Sequence, residues 1–515
     1  MPTKIVLAAS VVLALACSSF ASQKPNVVVI YADDLGFGDV QCYNPARGKI
    51  ATPHIDQLAS QGMRFTDAHS SSGVCSPSRY TILTGRYHWR SRLQRGIVGL
   101  WERPLISPDR LTIAGLAKKH GYQTACIGKW HLGWSWNIAN EQKEFFASTN
   151  QDKKNGLATD KHKAAWNEVF SKPIAGGPTD VGFDEYFGTD VPNWPPYCFI
   201  ENNRTLGIPT QYASPDLFAK NQASKQGPAL ADWTLEPILP ALGERAATFI
   251  QRESKTDEPF LLYMPLTSPH TPLSVNDQWK GKSGLNLYAD FVMETDDIVG
   301  QVLKAIEESG VGDNTLVLFT SDNGCAHYIG IKELEKLGHY PSGPLRGSKS
   351  DVWEGGHRVP FIVRWPGIVQ RNSVSNQLVH QADLLATLAD IMDDVLPDDA
   401  GEDSFSLLSL FKGEERPIRE HAVCTSINGV PGVRQGAWKY IPARGSGGWG
   451  KDGDQSQPVQ LYNLDTDLAE SKNLAAEMPG RVTEIRKLYK KLITDGRSTP
   501  GVRQNNDMNV IRFPK

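Results

Sequence analysis

The chain has 515 residues and a formal charge of -3, from 54 Lys+Arg against 57 Asp+Glu. That length predicts more than one domain, or one large domain with an appendage, and a core that needs no disulfide support. The near-neutral balance excludes a strongly basic, general nucleic-acid binder but leaves a locally basic anion pocket open.

Lys4 precedes an apolar run from Ile5 to Ala16, and Ser19-Phe20-Ala21 offers small residues for a cut before Ser22. Residues 1–21 therefore read as a signal peptide, and the mature chain as exported, periplasmic or extracellular. Cys17 is an alternative lipidation position. No later stretch approaches ~20 uninterrupted apolar residues, so no membrane span is expected.

Val27–Tyr31, Thr124–Ile127, Phe260–Met264, Leu316–Thr320 and Phe361–Val363 are short apolar runs that read as buried strands. Leu111–His120 stops before Gly121, and Ala289–Glu308 repeats apolar residues near helical period, so both read as helices. The alternation predicts an α/β sheet. After about residue 400 the order changes. His421–Ser426, Ala437–Ile441 and Val459–Leu464 read as strands of a small antiparallel sheet. A helix with Val482, Ile485, Leu488 and Leu492 on one face follows. The chain thus divides into a large domain, 22–400, and a C-terminal α+β subdomain, 401–515. Ala443–Gln455 is Gly-rich and polar and reads as a loop.

Seven cysteines (Cys17, Cys42, Cys75, Cys126, Cys198, Cys325 and Cys424) contain no C-x-x-C zinc pair. Cys42, Cys126 and Cys198 read as small buried apolar side chains. Disulfide pairing stays open.

Several expected strands end in polar residues. Tyr31 leads into Asp33-Asp34, Ile127 into Lys129 and His131, Met264 into Ser268-Pro269-His270, and Thr320 into Asp322-Asn323. Ligands of open α/β sheets bind outside the carboxyl ends of strands, so these segments are expected to converge. Asp33, Asp34 and Asp322 with the amide oxygen of Asn323 form an all-oxygen set, suited to Ca²⁺ or Mg²⁺ rather than zinc. Taken singly, each pair is also an ordinary turn.

Gly73-Val74-Cys75-Ser76-Pro77-Ser78-Arg79, continuing to Thr84-Gly85-Arg86, resembles the C-x-P-x-R signature of the formylglycine-dependent sulfatases. Gly121–Gly133, with Gly128-Lys129-Trp130-His131, is similar to that family's second signature. Leu345–Lys349 with Glu354-Gly355-Gly356, and Leu461–Leu464 with Asp467, Glu470 and Asn473-Leu474, extend the likeness over roughly residues 25 to 500. The resemblance implies an alkaline-phosphatase-like fold: a central mixed sheet flanked by helices, with a smaller C-terminal domain. It implies that a maturation enzyme oxidises Cys75 to formylglycine. The hydrated aldehyde then attacks sulfur beside a divalent cation and later expels sulfate. Cys75 would thereby join Asp33, Asp34, Asp322 and Asn323 around one Ca²⁺. Arg79 would hold the formylglycine, and Lys129 and Lys349 would bind sulfate oxygens. His131 would assist aldehyde regeneration, and His270 would protonate the leaving alcohol.

Within the family, the chain looks most similar to arylsulfatase A and to bacterial N-acetylgalactosamine-6-sulfatase relatives. That implies a sulfated carbohydrate substrate, with exo removal of a 6-O-sulfate from galactose or N-acetylgalactosamine. A formylglycine-dependent phosphonate or phosphate ester hydrolase and a non-catalytic sulfated-glycan binder are the alternatives. Arg86, Arg90 and Arg92 are glycan contacts, a solvated helix face or structural ion pairs, and Trp134, Trp136 and Trp194 either stacking surfaces or core. Two segments are expected at the pocket mouth: Trp134–Pro178, and the Ala443–Gln455 loop with Arg444, Trp449 and Lys451. That loop is expected to overhang the pocket, with disorder as its alternative.

Overall fold

Strand β1 (Asn26–Ala32) is apolar at nearly every position because both faces of its sheet are covered. Side chains alternate between faces along a strand. Val27, Val29 and Tyr31 accordingly enter one hydrophobic core, and Val28, Ile30 and Ala32 another. The computed structural model describes residues 24–147, 149–150, 158–218, 223–451 and 456–510. The expected signal peptide, with Cys17, lies outside the described residues.

The other strands of this sheet are β2 (Met63–Phe65), β3 (Gln123–Lys129), β4 (Glu185–Thr189), β5 (Ile200–Glu201), β6 (Arg204–Thr205), β7 (Phe260–Pro265), β8 (Thr315–Ser321), β9 (Phe361–Arg364) and β10 (Ser373–Ser375). Their order is β10-β2-β9-β8-β1-β7-β3-β4-β5-β6. The centre, β8-β1-β7-β3-β4, is parallel, whereas β9 pairs antiparallel with β8 and β2. The sheet is therefore mixed, as expected. Parallel pairing points β1, β3, β4, β7 and β8 the same way, so their carboxyl ends share one edge.

Helices α1 (Pro53–Gln61), α4 (Ile238–Glu253) and α5 (Leu287–Glu308) cover one face. Helices α2 (Cys75–Thr84), α3 (Ile113–Lys119) and α6 (Leu384–Ile391) cover the other. Helix α3 starts where the Thr112 hydroxyl accepts from Gly115 N–H at 3.0 Å, and Gly121 follows it at φ 82°.

The second lobe is a four-stranded antiparallel meander: β11 (His421–Thr425), β12 (Pro431–Gln435), β13 (Trp438–Ile441) and β14 (Gln460–Asn463). Helix α7 (Pro479–Asp495) packs Ile485, Tyr489, Leu492 and Ile493 into the same small core, to which Tyr87 and Trp89 of the first lobe also belong. Strand β11 reaches the segment just before Cys75, because Thr425 N–H donates to Ser71 O and Gly73 N–H donates to Thr425 O, each at 2.9 Å. No helix among the described residues is long and apolar enough to cross a membrane.

Candidate active site

The β1 edge carries Asp33 and Asp34, the β8 edge Asp322 and Asn323, the β3 edge Lys129 and His131, and the loop after β7 His270. Backbone bonds continue the ladder beyond the strands: Asp33 N–H to Ser268 O at 2.9 Å and Asp322 N–H to Ala32 O at 3.0 Å. Cys75 opens α2, and Arg79 lies one turn on. Lys349 comes from a loop whose amide donates to Cys325 O at 2.8 Å. All ten expected site residues are buried.

The structure brings them together. Lys129 Nζ lies 2.7 Å from Asp33 Oδ2, and Lys349 Nζ 2.6 Å from Asp34 Oδ1. Arg79 Nη2 is 2.9 Å from Asp322 Oδ2 and 3.5 Å from Asp33 Oδ1, while its Nη1 donates to Lys129 O at 3.0 Å. Asn323 Nδ2 donates to Asp34 Oδ1 at 2.8 Å. Ligand atoms of Asp33, Asp34, Cys75 and His270 all lie within 4.8 Å of one another. The lysines, expected on sulfate oxygens, thus touch carboxylates, and Arg79 ties Asp322 and Asp33 to the β3 edge.

Three carboxylates face three cations. Burial opposes ionisation of Asp33, yet Lys129, then His270, Arg79 and Lys349 outweigh it and hold the group well below the usual range. Burial, then the Asp33 charge, push Asp322 up. Two buried acceptors lack a hydrogen bond: Asn323 Oδ1, and Asp33 Oδ1, which has only the Arg79 charge at 3.5 Å. Unpaired buried oxygens are costly, and a hard cation satisfies them. The donor set fits one Ca²⁺, with Asp33, Asp34, Asp322, Asn323 and the group at position 75 to hold it. The balanced charges would then turn net positive, which suits an anionic ester.

The two histidines are oriented by backbone carbonyls. His131 Nε2 lies 3.2 Å from Val98 O, and its Nδ1 is buried and unpaired. Burial, then Lys129 and Arg79, hold it well below the usual histidine range, so it is neutral, with Nε2–H donating and Nδ1 bare. His270 Nδ1 donates to Thr271 O, which turns Nε2 toward Asp34 Oδ2 at 3.7 Å.

The family model described as Sulfatase matches residues 25–395. The chain belongs to the sulfatase family. It is 33% identical to N-acetylgalactosamine-6-O-sulfatase of Bacteroides thetaiotaomicron, over 92% of this chain and 94% of the relative. To human arylsulfatase A it is 30% identical, over 94% of this chain and 90% of that one. A solved Bacteroides thetaiotaomicron structure, from work on the metabolism of multiple glycosaminoglycans, superposes at TM-score 0.75 with 29% identity, covering 92% of this sulfatase and 99% of that chain. A sulfatase from Pseudoalteromonas sp. shares the fold at TM-score 0.68 and 24% identity, covering 93% and 92%. The chain is a sulfatase enzyme, and the non-catalytic binder is set aside.

Other expectations fare differently. Arg90 is fully buried on Asp403 at 2.8 Å, and Arg86 sits 3.0 Å from Glu402, so both are structural ion pairs. Trp134 is core and Trp136 packs against that core, whereas Trp194 is half-buried with its ring 5.4 Å from His131. Cys126 and Cys198 are buried, but Cys42 is only half-buried, and no disulfide forms among the six described cysteines. Sequence reading passed over Asp190, whose Oδ1 accepts from His131 N–H at 3.2 Å and which burial raises to about 6. It follows β4 directly, so the strand-end rule that marks Asp33 marks it too.

Proposed function

We propose that this sulfatase removes sulfate from a sulfated carbohydrate, acting on a terminal 6-O-sulfated galactose or N-acetylgalactosamine. The observation that carries the chemistry is Cys75 at the start of α2, within ligand reach of Asp33, Asp34 and His270 beside two buried oxygens that lack a hydrogen-bond donor. The sugar reading draws support from the 33% identical relative named for N-acetylgalactosamine-6-O-sulfate. When oxidised by a maturation enzyme and hydrated, position 75 supplies the attacking hydroxyl and a second hydroxyl for sulfate release. Bound Ca²⁺ would supply positive charge for the ionised hydroxyl and a sulfate oxygen.

The chain's own residues do the rest. Lys129 and Lys349 reach the carboxylates by flexible stems, and turning either ammonium toward an incoming sulfate stabilises charge spread in the transition state. Arg79 keeps Asp33 and Asp322 at fixed spacing. His270, protonated at Nε2, delivers that proton to the leaving oxygen while Nδ1–H stays on Thr271 O. His131 takes a proton at its bare Nδ1 during aldehyde regeneration. A phosphonate or phosphate ester would meet the same charges, so a panel of sulfate and phosphonate esters separates the readings.

Mass spectrometry of the peptide containing Cys75 should show loss of one sulfur and two hydrogens with gain of one oxygen, the change from thiol to aldehyde, and a panel of sulfated monosaccharides should show turnover of a 6-O-sulfate. An unmodified thiol in fully active enzyme would refute the nucleophile. Cys75→Ser should fold but lose multiple turnover, because a serine sulfate ester has no second hydroxyl to expel it. Export to the periplasm or beyond belongs to the same proposal, resting on the pattern of residues 1–21. Amino-terminal sequencing that finds residue 1 retained in cell fractions would oppose it.

A further inference from the structure

Among the described residues, Tyr328 and Trp449 are the most exposed Phe, Tyr or Trp side chains, each at 41%. Every other described aromatic ring of these types is at least half-buried. The two come from different lobes, yet their ring centroids lie 6.3 Å apart. The exposed ring of His327 touches both, at 5.0 Å from Tyr328 and 5.3 Å from Trp449. Scattered exposed apolar residues need no explanation, but the two most exposed aromatics meeting at one place do.

That place is the rim of the anionic site. Tyr328 lies five residues after Asn323, close enough to Lys349 and Asp34 for both charges to act on its phenol. Trp449 N–H donates to Ser350 Oγ at 2.9 Å, one residue past Lys349, and Gly450 N–H donates to Asp351 Oδ1 at 2.8 Å.

The glycines around Trp449 have a packing reason. A Cβ at Gly447 would fall 2.6 Å from Ser426 Oγ and Val430, at Gly448 2.3 Å from Ser350 O, and at Gly450 2.5 Å from Asp351 Oδ2. Only glycine lets this stretch lie flush on the Lys349 loop. Composition that reads as flexibility instead seats Trp449 at a defined position.

We propose that Tyr328 and Trp449 form the platform on which the sugar ring of the sulfate ester stacks, making them specificity-determining residues. This rests on the carbohydrate reading above. Two rings with a histidine suit one sugar, and are far smaller than the ~800 Å² per partner of a protein interface. Their apolar faces meet the C–H face of a pyranose, while the Tyr328 hydroxyl and His327 offer hydrogen bonds to its hydroxyls. The sulfate enters the charged pit, and the ring is held above it.

The test uses matured, calcium-loaded enzyme and three probes: N-acetylgalactosamine 6-sulfate, nitrophenyl sulfate, and inorganic sulfate as inhibitor. Trp449→Ala and Tyr328→Ala should each raise KM for the sulfated sugar roughly three- to tenfold, the range of one aromatic contact. Inhibition by inorganic sulfate should stay within about twofold, because the anion pit is untouched. Trp449→Phe should keep most of the sugar affinity, since it retains a ring. An unchanged KM in both alanine variants overturns the platform. So does a parallel loss of sulfate inhibition, which would make the rings supports of the pit. Wild-type enzyme that hydrolyses nitrophenyl sulfate but no sulfated sugar overturns the carbohydrate reading first, and the platform with it.

Discussion

Lys439 of β13 is fully buried between two fully buried carboxylates, Glu354 at 2.9 Å and Glu470 at 2.9 Å. Glu354 belongs to the first lobe and follows the Lys349 loop, and Glu470 follows β14, so one ammonium joins both lobes. Lys439→Met removes the charge and keeps most of the volume. Glu354 would retain Arg358 at 3.2 Å and Arg434 at 3.8 Å. Glu470 would be left with the Glu354 N–H at 2.7 Å and no cation. Stranding one member of a buried pair costs about 3–5 kcal/mol. With unfolding entropy near 2.1 cal/mol/K per residue, a chain of this length loses about 3–5 °C in Tm if it melts as one unit, and several times more if the second lobe melts alone.

The loss should depend on pH. Burial raises Glu470 to about 7 even beside Lys439, because the nearby Glu354 charge adds to burial. The folded protein therefore binds this proton more tightly than the unfolded chain, whose glutamate has its ordinary value of 4.5. Stability from this group is full below about pH 4.5 and fades as pH rises through about 7. Without Lys439 the folded value moves higher still. The variant should therefore lose less at pH 5.5, where Glu470 is protonated, than at pH 8. Adding Glu470→Gln to Lys439→Met should restore at least half the loss at pH 8. Scanning calorimetry at the two pH values reads both effects. A loss that ignores pH, or a double variant no better than the single, refutes the stranded carboxylate as the cause.

His270→Ala should slow hydrolysis of a sugar sulfate by about 10²-fold or more, yet nitrophenyl sulfate by far less, because a good leaving group needs no proton; equal losses would oppose His270 as acid. Chelation should abolish activity and lower Tm, by up to about 2.7 kcal/mol of lost linkage where Ca²⁺ had stood at 100 times its Kd, and re-added Ca²⁺ should restore both; stoichiometric zinc in active protein would contradict the oxygen donor set. Burial holds His88 at about 3, between the Ser71 and Thr425 hydroxyls at 3.0 Å each. Its contribution is present above about pH 6.5 and falls by roughly 1.4 kcal/mol per unit below it, so His88→Asn should flatten the acid limb of a Tm–pH profile.

What the sequence disclosed and what it withheld follow from the distance between partners. Four of the five central strands, β1, β3, β7 and β8, were legible because each is apolar on both faces, a property of the strand alone, and their carboxyl ends then carried Asp33, Lys129, His270 and Asp322 to one edge; β4, Glu185–Thr189, was passed over. Strand β12 was missed because Pro431, Gly432 and Arg434 spoil any local pattern; it is a strand because Val433 and its neighbours pair with β11 and β13. The three-residue strands β2 and β10 are too short to show a period and exist through pairing with each other and with β9. Arg86 and Arg90 stayed ambiguous for the same reason, since Glu402 and Asp403 lie more than 300 residues away in the chain. The Gly-rich loop is the sharpest instance. Its glycines suit disorder when read alone, and their purpose is set by Ser350 and Asp351, 99 residues earlier. Local pattern therefore reports where the chain can bury a side chain, while the fit of one backbone on another, which here seats Trp449 beside Tyr328, is a property of the pair.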